Sequence, residues 1–305
     1  MKKNSMLQSL KLVIHGGIEE DQLSARIEQT YHDALKQALQ IGYRKLIAGE
    51  SSIEVVQQTV RFLEDSPLFN AGFGSVLTQI GTIELDAAIM DGGSLQAGCV
   101  AGLSKIANPI CLARMVLESS DHMMLVGSHA EQFAYNCSLN WIDSDSLITE
   151  LQRNKWLERQ KNAGNLSLQN KYGTVGAVAI DQYGNLAAGT STGGLANKHP
   201  GRVGDSCIIG AGTYANNNTC AVSTTGQGEY FMRLLTAYDI AAQIEYKKSS
   251  LEEAVRSSLK KLTTLGGLGG IIALDSSGKV VIYFNTKGMY RGYIENGTYV
   301  TKIYN

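Results

Sequence analysis

Residues 10–14 (LKLVI) form an apolar run halted by His15-Gly16-Gly17, which predicts a first strand ending in a sharp turn. Over 24–45 the apolar positions Ile27, Tyr31, Leu35, Ala38 and Leu39 recur at the spacing of one helix face. A second helix is expected directly afterwards. Ser51 and Glu54 stand at the two ends of a capping box, and Ile53, Val56, Val60 and Leu63 supply its buried stripe. Residues 67–74 (PLFNAGFG) read as a loop whose glycines permit unusual φ values around Asn70. Alternation over 82–90 and the small-residue run 95–103 predict an antiparallel pair joined through Asp91-Gly92-Gly93-Ser94. Asn108-Pro109 opens a further helix, and 122–126 is a short strand.

The pattern breaks at 151–173. Arg153, Lys155, Glu158, Arg159, Lys161 and Lys171 stand there among Asn and Gln with few apolar residues, so the segment reads as an exposed, mobile linker. Beyond it, strands at 174–180 and 186–190 flank the turn Tyr183-Gly184-Asn185. Strands are also expected at 207–214 and 219–225. A helix over 228–242 buries Phe231, Leu234, Leu235 and Tyr238, and another starts at the cap Ser250; strands at 269–275, 280–285 and 298–304 close the chain. Strand pairs alternating with helix pairs predict two central, mostly antiparallel sheets with helices outside, an α/β arrangement.

Composition narrows the function. A chain of 305 residues, 44% hydrophobic, can bury a large core, and 27 basic against 28 acidic residues without long charge runs offer no footprint for nucleic acid or an anionic membrane. A small-molecule or peptide substrate fits better. No apolar run approaches the ~20 residues of a membrane span, and Asn4, Ser5, Gln8 and Ser9 interrupt any secretory core segment, so a cytoplasmic protein is expected. The five cysteines are scattered without a Cys-x-x-Cys pair, which suits reduced thiols. His122 and His129 lack ligand spacing for a metal, His15 reads as hydrogen-bonded structure, and no phosphate-binding glycine motif occurs.

Thr174 is the candidate nucleophile, because it follows the linker and opens an apolar strand. Cleavage after Gly173 would give it a free α-amine of pKa about 7.7–8.0, a base attached to the residue it activates. Arg202 and Asp205 make either a surface ion pair or a clamp for the carboxylate and ammonium of an amino acid. Thr225-Gly226-x-Gly228 offers a hydroxyl and backbone N–H groups before a helix, the parts of an oxyanion hole.

Taken in order, these pieces resemble a known family. Ile14-His15-Gly16-Gly17, Phe69-Asn70-Ala71-Gly72, Leu85-Asp86-Ala87, Gly173-Thr174-Val175-Gly176, Thr190-Ser191-Thr192-Gly193-Gly194, Gly201-Arg202-Val203-Gly204-Asp205-Ser206 and Thr225-Gly226-x-Gly228-Glu229 are similar to motifs of the plant-type asparaginase and isoaspartyl peptidase family of N-terminal-nucleophile hydrolases. The resemblance implies one domain over 1–305, a four-layer αββα sandwich, cut into 1–173 and 174–305 and paired as a dimer of two-chain units. It makes Thr174 the nucleophile, Thr192 its polarising hydroxyl, and Thr225 with the Gly226 N–H the oxyanion hole. Arg202 and Asp205 would bind the α-carboxylate and α-ammonium of L-asparagine or a β-aspartyl dipeptide, with Asn70 and Gly228 lining the pocket. It implies no organic cofactor, but a structural sodium ion on the backbone carbonyls of Leu63, Glu64, Ser66, Phe69, Ala71 and Phe73. One departure stands out: the family usually follows His-Gly-Gly with Ala-Gly, and here Ile18-Glu19-Glu20 follows. A glycosylasparaginase-like hydrolase and an amino-acid-binding relative without turnover stay open as alternatives, although Leu195-Ala196-Asn197-Lys198-His199-Pro200 looks more like the asparaginase branch.

Overall fold

The computed structural model of the chain describes residues 10–161, 173–295 and 297–305. An eight-stranded sheet runs in the order β12-β11-β1-β5-β6-β2-β3-β4, built from β1 (Lys11–Glu19), β2 (Leu85–Asp91), β3 (Ala97–Leu103), β4 (Met124–Val126), β5 (Val175–Ile180), β6 (Leu186–Thr192), β11 (Gly288–Glu295) and β12 (Thr298–Tyr304). A four-stranded sheet, β10-β9-β8-β7, uses β7 (Thr213–Ala215), β8 (Cys220–Gly226), β9 (Gly269–Asp275) and β10 (Val280–Phe284). Among the described strands only the β3–β4 pairing is parallel. Strand alternation explains the layers. Leu12, Ile14, Val175, Ala177 and Ala179 turn to one side and pack with the helices α1 (Ala25–Ile47), α2 (Ser52–Glu64), α3 (Pro109–Ser119) and α4 (Gly127–Asn136). Their neighbours Val13, Val178 and Ile180 turn the other way and meet Ala221, Ile272 and Leu274 of the second sheet. The far face of that sheet, Cys220, Val222, Ile271 and Ala273, packs with α6 (Gly228–Leu234), α7 (Thr236–Lys247) and α8 (Leu251–Thr264). The order is helix, sheet, sheet, helix, the expected sandwich.

Several local expectations change. His15-Gly16-Gly17 does not end the first strand. β1 continues to Glu19 through a bulge between His15 and Gly17, and its outer partner is β11, a glycine-interrupted strand absent from the sequence reading. The expected strand at 207–214 shrinks to Thr213–Ala215, because Ile208 and Ala211 N–H groups bond back to Asp205 and Ile208 carbonyls as turns. The helix expected over 228–242 breaks at Leu235, which is left-handed at φ 46 and exposed; the next N–H groups, of Ala237 and Tyr238, are taken by Ala211 and Gly210 carbonyls. Ser51 caps α2 without a side-chain bond, and Glu54 reaches Lys45 instead, whereas the Ser250–Glu253 capping box forms in full. Ile27 is exposed, so the stripe of α1 begins at Tyr31.

The linker is corrected in part. Residues Glu150–Lys161 form a helix, α5, of almost no amphipathic pattern, which is why periodicity missed it. It is docked by Gln152 Nε2 donating to Gly74 O (3.0 Å), Gln160 Nε2 donating to Gln79 O (3.2 Å), and the Trp156 ring set over Gly81. The remainder of the expected linker, 162–172, lies outside the described residues.

Candidate active site

By strand alternation Thr174 shares a face with Gly176 and Val178, Thr192 with Ala188 and Thr190, and Thr225 with Ala221 and Ser223. All three faces point into the space between the sheets. Thr174 is buried, and its Oγ donates to Thr192 Oγ at 3.1 Å. Thr192 Oγ also accepts the Gly194 N–H (2.9 Å) and donates to the Gly173 carbonyl (3.1 Å). The same carbonyl accepts from Asn70 Nδ2 (2.8 Å), whose second hydrogen goes to Gly194 O (2.7 Å) while its Oδ1 accepts from Val76 N. The hydroxyl beside the 173–174 bond is therefore polarised outward, and the bond's own carbonyl is held by two donors.

His15 lies behind the nucleophile. Its Nδ1 is 2.9 Å from Thr174 O and its Nε2 is 2.8 Å from Ser223 Oγ. Burial drives its pKa down to about 3 against the opposing pull of the Thr174 carbonyl, so the ring is neutral, donates from Nδ1 and accepts from Ser223. It is structural, as expected. Gly17 is required at this point: at φ +107 a Cβ would stand 2.9 Å from Gly173 Cα. The unusual Ile18-Glu19-Glu20 is accommodated, since Ile18 joins the core between the sheets and Glu19 accepts the N–H groups of Glu20 and Asp21 (2.9 Å each) and the Tyr290 hydroxyl.

Arg202 and Asp205 are not a surface ion pair with each other. Arg202 Nε donates to Glu229 Oε1 (2.9 Å), while Asp205 is buried and accepts from Thr224 Oγ (2.7 Å). Burial raises the Asp205 pKa to about 6, opposed by the Thr224 bond and the Arg202 charge. Gly228 sits over both groups, where a Cβ would be 2.7 Å from Asp205 Oδ1 and 3.0 Å from Arg202 Nη2. Gly194 joins this charged pair to the nucleophile: it contacts Thr192 and Asn70 as above, and a Cβ on it would lie 3.3 Å from Arg202 Nη1. Thr225 is fully buried with a hydroxyl that has no hydrogen-bond partner among the described residues, next to Gly226 at φ +143. That hydroxyl can donate to an acceptor brought into the site.

Sequence reasoning missed three contributors. Thr224 faces away from Thr225 on the same strand and anchors Asp205. Glu229 orients Arg202. Lys198 is a buried second cation beside Gly194, donating to Glu84 O at 2.8 Å, its pKa lowered by burial. Adjacency to a flagged residue was the only available signal for the first two.

The residues expected to hold sodium lie on the last turn of α2 and the loop that follows it. Gly72, at φ +51, brings that loop so close that a Cβ would stand 2.5 Å from Glu64 O and 2.9 Å from Ala107 O, and one on Gly74 would stand 2.1 Å from Phe69 O. The loop is closely packed, and of the six expected carbonyls those of Leu63 and Ala71 each already accept one backbone N–H, from Ser66 (3.3 Å) and Gly74 (3.2 Å). Among the described residues no cluster of His, Cys, Asp and Glu could hold a metal by side chains.

A family model described as asparaginase matches residues 8–303. The chain belongs to the asparaginase family. Among members of that family, an Escherichia coli (strain K12) protein described as isoaspartyl peptidase is 48% identical over 294 residues, covering 92% of each chain. A Mus musculus isoaspartyl peptidase/L-asparaginase is 43% identical over 95% of this chain and 89% of its own. An Arabidopsis thaliana protein described as probable isoaspartyl peptidase/L-asparaginase 2 is 38% identical over 92% and 94%. Among the described residues no helix is long and apolar enough to cross a membrane.

Proposed function

We propose that the chain cleaves itself between Gly173 and Thr174 and that the product hydrolyses the side-chain amide of L-asparagine and the isopeptide bond of β-aspartyl dipeptides. The hydrogen-bond chain Thr174 Oγ to Thr192 Oγ to Gly173 O carries the reading, because it polarises nucleophile and scissile carbonyl together. Thr174 Oγ attacks the Gly173 carbonyl, whose developing oxyanion meets Asn70 Nδ2 and Thr192 Oγ. The C–N bond breaks, the Thr174 nitrogen takes the hydroxyl proton, and water hydrolyses the ester, leaving a free Thr174 amine.

In turnover that amine accepts the Thr174 hydroxyl proton as Oγ attacks the substrate's side-chain carbonyl, then passes it to departing ammonia or amine. Arg202 takes the α-carboxylate and Asp205 the α-ammonium, placing the carbonyl over Thr174, and Thr225 Oγ with the Gly226 N–H receives the oxyanion. Water then releases aspartate. Sodium would be held by the carbonyls of Leu63, Glu64, Ser66, Phe69, Ala71 and Phe73, and its part would be to fix the turn that carries Asn70. The two-chain unit would pair as a homodimer and act in the cytoplasm, a setting supported by its five free thiols. The test is intact mass under denaturing conditions with ammonia release from L-asparagine. The 32.9 kDa chain should give pieces of about 19 and 14 kDa, and Thr174→Ala should stay whole and inactive. Full turnover by an uncut Thr174→Ala chain would sink the nucleophile assignment.

A further inference from the structure

A cavity of about 100 Å³ borders Gly173 and Asn70 without including Thr174. Helix α5 supplies one wall. Gln152, Lys155, Trp156 and Arg159 all line it, and their spacing of three, one and three puts them on a single helical face. The lining also includes Glu19, Glu20 and Asp21 and the aromatic residues Tyr31 and Tyr290. Gly173 is the lining residue that adjoins the nucleophile in the chain, so cutting the 173–174 bond turns that part of the wall into a chain end.

We propose that in the cleaved enzyme this cavity receives the leaving residue of a β-aspartyl dipeptide, with Lys155 and Arg159 facing its terminal carboxylate. The inference rests on the self-cleavage reading given above. Asparagine releases ammonia, which has neither carboxylate nor side chain to bind. A dipeptide releases an amino acid whose carboxylate carbon lies ~2.5 Å from the scissile nitrogen, given standard N–Cα and Cα–C bonds. Recognition of that residue must therefore happen in the space beside the scissile bond, and the cavity lined by the α5 cations also reaches Gly173. Arg159 is drawn partly out of water, which lowers its pKa and strengthens any charge-assisted bond it donates. The acidic side chains of the lining are Glu19, Glu20 and Asp21, and the Glu19 carboxylate is already committed to Glu20 N, Asp21 N and Tyr290, so Lys155 and Arg159 are the lining cations that a carboxylate would face. The apolar body of the leaving residue then meets Tyr31, Tyr290 and Trp156.

The experiment compares kcat/KM on the cleaved protein for L-asparagine, for β-aspartyl-leucine and for the same dipeptide with its terminal carboxylate amidated. The free acid should be preferred over the amide by about tenfold or more, the worth of one charge-assisted contact. In the Lys155→Gln/Arg159→Gln double variant that ratio should fall towards one, through KM rather than kcat. Equal use of acid and amide by the unaltered protein, or a ratio that survives in the double variant, overturns the proposal; the first comparison needs no variant. Failure of the unaltered protein to release ammonia from asparagine would instead refute the function on which it rests.

Discussion

Asp205→Asn should stabilise the fold while damaging substrate binding, and the size of both effects follows from its burial. The carboxyl is almost wholly shielded, and desolvation raises its pKa from 3.8 to about 6 despite the Thr224 hydroxyl and the Arg202 charge, with Glu229 adding to the rise. A folded-state pKa above the unfolded value means the folded protein binds the proton more tightly. Between about pH 4 and pH 6 it therefore carries more protons than the unfolded chain, and stability falls as pH rises through that window. Above it the cost is complete, ~3 kcal/mol for a shift of about two units. Asparagine removes the charge and keeps an oxygen for Thr224, so the variant should gain up to ~3 kcal/mol at pH 8 and little at pH 4.5. Urea unfolding should be measured in the Thr174→Ala background, where a single uncut chain makes the free energy well defined. In the cleaved enzyme the same change should raise KM for asparagine by ~10² through loss of the ammonium partner. For the unaltered enzyme, affinity should fall as pH drops through about 6. An Asp205→Asn chain less stable at both pH values would refute the reasoning and make Asp205 a structural acceptor.

Thr225→Val should cut kcat by ~10²–10³ with KM and self-cleavage little changed, since Asn70 and Thr192, not Thr225, hold the Gly173 carbonyl; loss of cleavage would reassign the hydroxyl. Gly228→Ala puts a methyl 2.7 Å from Asp205 Oδ1 and should raise KM by ~10² in a folded protein, read by kinetics beside circular dichroism. Replacing sodium with choline should lower Tm, and restoring it should recover the loss; an unmoved Tm would remove the ion from the turn before Asn70.

The two central sheets with helices outside were legible because alternation and helical spacing report burial directly. Residues 174–180 and 186–190 declare their hairpin, and Ser250 with Glu253 declares its cap. What failed lacked such a signal. β11 is interrupted by glycines that allow close contact with Leu39 and Tyr304. α5 has a polar surface nearly all round and is held by side-chain bonds to distant loops. The helix break at Leu235 is set by carbonyls of Gly210 and Ala211, more than twenty residues away. These elements are defined by tertiary partners, which no local window contains.

The site divides in the same way, and the division bears on how, on the proposed mechanism, one threonine would serve two reactions. The residues themselves supplied Thr174, Arg202, Asp205 and Thr225 as types of chemistry, and the family resemblance added Thr192 and Asn70; neither could supply which carbonyl each donor holds. In the uncut chain Asn70 and Thr192 are both engaged with Gly173 O, while the Thr225 hydroxyl is buried and idle. Burying an unmatched hydroxyl costs roughly 1–3 kcal/mol. On the proposed mechanism the oxyanion of the substrate is the acceptor that would match it, while the Gly173 carbonyl is already held by Asn70 and Thr192. Two sets of donors around one nucleophile thus let cutting and turnover be separated: changes at Asn70 should act first on cleavage, and changes at Thr225 on turnover.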